Sequence, residues 1–100
     1  MDTLGDIIRQ NREEKGLPLR IVAGFLNIDQ AILSKIERGQ RKASREQVLR
    51  LSEYFNVDRE KLLVAWLSDK ILYELTDEEF ADKALKVAES RIEYLKNKKI

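Results

Sequence analysis

The sequence predicts an all-α protein, and three observations predict it. Apolar residues recur at helical spacings of three and four. Helix start and stop residues punctuate the chain from end to end. Val and Ile never alternate with polar residues over a useful length, so no strand pattern competes.

A first helix is expected over residues 3–15, with Leu4, Ile7 and Ile8 on one face and Gly16 as its stop. The second begins near Pro18, whose fixed φ suits a first helical position, and carries Val22, Phe25 and Leu26. It closes at Asn27, a residue type that tolerates a left-handed backbone. Asp29 is placed to cap the third helix, which runs to Arg38 and stops at Gly39, with Leu33 and Ile36 inward. Ser44 and Gln47 form a capping box for the fourth, which closes at Asn56. Asp58 caps the fifth, whose Leu63, Leu67, Ile71 and Leu75, flanked by Leu62 and Trp66, make a wide apolar stripe. Thr76 and Glu79 read as a second capping box opening a sixth helix from Asp77 to about Lys98.

Composition bounds the chemistry. One hundred residues make one domain, with room for an appended helix. Charged residues are 37% of the chain, against roughly 25% in an average soluble protein, which suits a helical surface rich in ion pairs. Neither Cys nor His is present, so thiol chemistry, disulfides and the usual zinc ligands are excluded together. No apolar run approaches the roughly 20 residues that span a bilayer, and the N-terminus shows no signal-peptide core. The expectation is a soluble cytoplasmic protein without membrane contact. No Gly-rich phosphate loop or placed carboxylate pair suggests an enzyme, so no catalytic residue, metal, cofactor or small-molecule ligand is expected. The acidic "TDEEF" suits a helix start and lacks a calcium-loop pattern.

Net charge is only +1, but Lys35, Arg38, Arg41, Lys42, Arg45 and Arg50 face two acids between residues 35 and 50, a local excess of +4. Such a stretch is either a weak phosphate-binding footprint or a solvated helical face. Geometry adds to it. A short helix, a tight turn and a second short helix crossing steeply need a small residue at the crossing, and Ala23 supplies one. Ile28, Leu33 and Ile36 then hold the third helix inward. Gln30, Ala31, Ser34, Lys35 and Arg38 are left outward, with Ile32 at the boundary.

On these residues a resemblance becomes specific. "LPLRIVAGFLNIDQAILSKIERGQRKAS" followed by "REQVLRLSEYFNVDREKLL" resembles the Cro/lambda-repressor-like, or XRE-type, helix-turn-helix family over about residues 4–63. "NREEKG" and "SKIERG" are its most specific pieces. The resemblance implies a five-helix, lambda-repressor-like DNA-binding domain over residues 1–67, with the third helix in the major groove of double-stranded DNA. It implies base contacts from Gln30, Ala31, Ser34 and Lys35, and phosphate contacts from Arg38, Gln40, Arg41, Lys42 and Arg45. It also implies an ion pair between Arg12 and Glu37. Two positions depart from the family's pattern: Leu19 stands where Gln usually reaches a phosphate, and Asp29 replaces the usual Ser or Thr.

The remainder, residues 68–100, reads as a C-terminal helical extension. Ala81, Leu85, Ala88, Ile92 and Leu95 alternate spacings of four and three, a seam of coiled-coil type. Two packings follow from it, back onto the fifth helix or against a second copy, and Leu85, Ala88, Ile92 and Leu95 are the expected homodimer interface. The final "KNKK" reads as a solvated tail. The functional expectation is a dimeric transcriptional regulator of repressor type. The alternative is a protein-interaction helix-turn-helix module, antitoxin-like or a regulatory subunit, using an apolar face of Leu19, Ile21, Phe25 and Ile32.

Overall fold

A computed structural model describes residues 2–98 as six helices, with no strand among them. They are α1 (Leu4–Glu14), α2 (Leu19–Leu26), α3 (Gln30–Glu37), α4 (Arg45–Phe55), α5 (Arg59–Leu75) and α6 (Ala81–Lys98). Lys99, part of the basic C-terminal run, lies outside the described residues. The chain divides into two compact units, one up to Lys70 and one from Ile71, and α5 contributes to both.

Local chemistry sets most helix ends in the first unit. Thr3 is a cap and not a helical residue: its hydroxyl accepts from the Asp6 amide, and the Asp6 carboxylate accepts from the Thr3 amide. The Asp6 carboxyl is held below its ordinary pKa by the Thr3 amide first and by the Thr3 hydroxyl second. Ser44 and Gln47 form the expected reciprocal box at α4. Asp58 accepts from the Glu60 amide at the start of α5. Asn27 and Asn56 both take the left-handed conformation, at φ 57° and 54°, and end α2 and α4.

The core is built from all of the first five helices. Ile8, Val22, Leu33, Val48, Leu51 and Leu62 are fully buried, each stabilising by about 1.5–3 kcal/mol relative to exposure. One contact governs how closely α1 approaches α3. A Cβ on Gly5 would stand 2.2 Å from the Glu37 carbonyl oxygen and 2.8 Å from that of Ile36. Only glycine lets the two backbones meet there. Beside this contact, Arg12 donates from Nε and Nη2 to both Glu37 carboxylate oxygens, at 2.8 and 3.0 Å, and from Nη1 to the Leu17 carbonyl at 3.0 Å. The bidentate bond to Glu37 raises the Arg12 pKa, so the guanidinium stays charged. Next to Gly5, the Asp69 carboxylate accepts from the Leu4 amide at 3.0 Å, linking α5 to the start of α1.

In the second unit the expected capping box at Thr76 and Glu79 does not form. The Thr76 hydroxyl donates back to the Leu72 carbonyl, so Thr76 completes the end of α5. Asp77 then turns through φ 68°, and α6 starts at Ala81, four residues later than the pattern suggests. A residue bonded into a preceding helix cannot also adopt the extended cap conformation of the next. No residue of α6 is buried.

Candidate nucleic-acid interface

The turn between α2 and α3 is closed by backbone bonds. The Asn27 amide reaches the Gly24 carbonyl at 3.1 Å, and the Ile28 amide reaches that of Ala23 at 3.0 Å. Ala23 is buried at the crossing, as its size requires. Two helix starts differ from expectation. Pro18 sits just before α2, in an extended conformation, and Leu19 is the first helical residue. Asp29 occupies the cap position of α3, yet its side chain makes no capping hydrogen bond. Its carbonyl alone starts the helix, accepting from the Ile32 and Leu33 amides, while its side chain remains exposed.

From α3 onward most of the predicted contact residues are exposed. Gln30, Ala31, Lys35 and Arg38 are exposed and Ser34 is half-buried. Positions 30 and 34, like 31 and 35, are one helical turn apart and share a face. Gly39 turns the chain at φ 73°, and the Gln40 amide closes α3 on the Lys35 carbonyl at 2.8 Å. Gln40, Arg41, Lys42 and Arg45 follow, all exposed. Arg38 also donates from Nε to the Ser34 carbonyl at 3.3 Å, which lays its side chain along α3.

Several contacts, most of them long-range, were not legible in the pattern. The buried Trp66 indole donates from Nε1 to the Ala43 carbonyl at 2.8 Å, tying the basic loop to α5. Its ring carries the Lys70 ammonium at 3.5 Å and the Arg45 guanidinium at 5.8 Å. Arg50, counted in the basic stretch, instead donates to the Phe25 carbonyl at 2.6 Å and lies over the Phe25 ring at 4.9 Å. Phe25 in turn stacks on Tyr54 at 4.3 Å. Arg50 therefore closes the end of α2, and its charge is committed to that contact. A Trp in an apolar stripe and an Arg in a basic stretch carry no sign of such distant partners.

The apolar face of α2 and α3 is smaller than the sequence suggests. Leu19, Phe25 and Ile32 pack against the core, and of the four residues only Ile21 is exposed. Apolar exposure is concentrated in the second unit. Leu85 is 44%, Ile92 54% and Leu95 56% exposed, and Ala88 is exposed beside them. A groove of about 650 Å³ there is lined by Ile71, Leu75, Leu85, Ala88 and Ile92, among others. Among the described residues no group of three or more acidic side chains could hold a metal ion. No helix among them is long and apolar enough to cross a membrane.

The fold and the exposed third helix with its basic loop define a helix-turn-helix regulator of lambda-repressor-like, all-α architecture. A model of the helix-turn-helix family, Cro/lambda-repressor-like or XRE in type, matches residues 8–62, and the chain belongs to that family. It is a family of DNA-binding regulatory domains, typically without enzymatic activity. Comparison with curated proteins and with solved structures gives no match.

Proposed function

We propose that this chain is a sequence-specific transcriptional regulator that binds double-stranded DNA as a homodimer. The observation that carries the reading is the exposure of Gln30, Ala31, Lys35 and Arg38 on α3 together with an exposed cationic loop held at Ala43. On B-DNA that arrangement suits a helix in the major groove with the following loop on the flanking backbone. Gln30 can pair bidentately with adenine, Lys35 can donate to guanine, Ser34 can serve either partner, and the Ala31 methyl can pack on thymine. Arg38, Gln40, Arg41, Lys42 and Arg45 take the phosphates. Residues 1–67 are the DNA-binding domain in this reading and residues 68–100 the dimerisation element.

The apolar exposure of Leu85, Ala88, Ile92 and Leu95 supports the dimer. Covering such an apolar seam is stabilising, and a two-fold pair of chains matches two-fold half-sites spaced about 34 Å apart. Bound across a promoter, such a dimer represses by occupying it.

The test is selection of bound sequences from random duplex DNA, followed by salt titration of the winner. Neutralising Arg41, Lys42 and Arg45 together is expected to reduce the slope of log affinity against log salt by about 3, near 0.9 for each phosphate that the variant leaves unneutralised. Failure of the unaltered protein to bind duplex DNA even at low salt refutes the reading and favours a protein-binding adaptor.

A further inference from the structure

We infer that Trp66 is a positioning residue for phosphate recognition, acting through the loop at residues 40–44 and through Arg45 at the start of α4. The inference rests on the DNA-binding reading and adds to it a residue that touches no DNA. The loop between Gly39 and Ser44 has no regular structure of its own. Its cationic members are exposed, and a flexible exposed cation loses conformational entropy whenever it grips a phosphate. Ala43 is the exception, buried inside the loop, and its carbonyl receives the Trp66 indole N–H at 2.8 Å. A buried carbonyl with that single strong donor fixes the backbone on both sides of it. Lys42 and Ser44 flank the fixed point, and the capping box of Ser44 and Gln47 carries the same constraint into α4.

The indole face adds a second restraint. Arg45 lies 5.8 Å from the ring centroid, within cation–π range, while Lys70 occupies the ring at 3.5 Å. The Arg45 guanidinium is thus biased toward one region before any phosphate arrives. Trp66 stands on α5, 23 residues from Ala43, so the rigid part of the domain dictates where the loop cations stand. Phosphate contacts set the register of such a protein on its duplex, so removing this bond weakens DNA binding as well as folding.

The substitution Trp66→Phe keeps an aromatic ring and removes the N–H. Leu63→Ala, on the half-buried side of the same helix, serves as the control that loosens packing without touching the loop. Amide hydrogen exchange on the free protein is expected to speed up at residues 40–44 in Trp66→Phe and to stay unchanged there in Leu63→Ala. On the selected duplex, Trp66→Phe is expected to bind about tenfold more weakly, with a salt slope shallower by about 0.9, the share of one phosphate. Leu63→Ala is expected to keep the slope of the unaltered protein. Unchanged exchange at residues 40–44, or equal slopes in the two variants, overturns the role assigned to Trp66 while leaving DNA binding intact. Absence of duplex binding by the unaltered protein, with the exchange difference present, overturns the DNA reading and leaves the loop restraint standing.

Discussion

Replacing Gly5 by alanine is the most direct test of how this fold closes. The new methyl would stand 2.2 Å from the Glu37 carbonyl oxygen, whereas ordinary contact begins near 3.4 Å. Backbone must therefore yield by about 1.2 Å, and the obstacle is the end of α3, not a side chain that can swing away. Overpacking of this kind costs about 1–3 kcal/mol, and an immovable backbone partner places it near 3. Alanine recovers up to about 1 kcal/mol of helix propensity, leaving a net loss of about 2 kcal/mol. For a domain of this size that lowers Tm by about 8–16 °C. Gly24→Ala is the matched control, because a Cβ there meets nothing within 4 Å and the φ is ordinary. It removes a glycine from the interior of α2 and is expected to raise Tm by about 4–8 °C. Thermal unfolding of the two variants, followed by circular dichroism, should move in opposite directions. A Gly5→Ala protein as stable as the parent would show that α1 and α3 do not meet through backbone.

Other consequences are equally measurable. Glu37→Gln leaves the Arg12 guanidinium, 13% exposed, without its carboxylate; a loss of about 3–5 kcal/mol is expected in denaturant titration, and replacing both partners by Met should recover much of it. The Asp6 carboxyl should titrate below an ordinary aspartate in an NMR pH series, held down by Thr3. With the folded pKa lowered, its contribution to stability is complete above the unfolded value and disappears as pH falls through the folded one; a titration at or above the ordinary value contradicts this. Changing both Leu85 and Ile92 to Asp is expected to give a monomeric mass by sedimentation at micromolar concentration, with unchanged core packing in the first unit. A dimer that survives both changes would place the interface elsewhere.

The helix-turn-helix segment was largely legible because its signals are local. Asn27 and Asn56 end their helices within the turn they form, and the box of Ser44 and Gln47 spans three residues. The pair of Arg12 and Glu37, implied by family resemblance, stands as expected. Local signals also mislead. Thr76 and Glu79 have the spacing of a capping box, but α5 continues to Leu75 and takes the Thr76 hydroxyl for itself. Asp29 is an apt cap by type, yet its carboxylate makes no bond to α3. Thr3 and Asp6 form a box that a helix start at Thr3 conceals. The apolar residues of α2 and α3 have the pattern of a surface patch, whereas Leu19, Phe25 and Ile32 lean into the core. Periodicity gives the direction of a face and not how far its neighbours cover it.

The sequence by itself determined the helices, their order, the turn at Asn27 and which side chains of α3 point outward. Those rest mainly on interactions spanning four residues or fewer, which residue type and spacing display directly. Tertiary structure decided the role of Gly5 against α3, the service of Arg50 to Phe25 and the hold of Trp66 on Ala43. Their partners lie 23 residues away or more, and nothing in residue type or spacing names a partner until packing has brought the elements together. The basic loop was thus visible as charge, while its restraint came from a tryptophan on a helix two elements later.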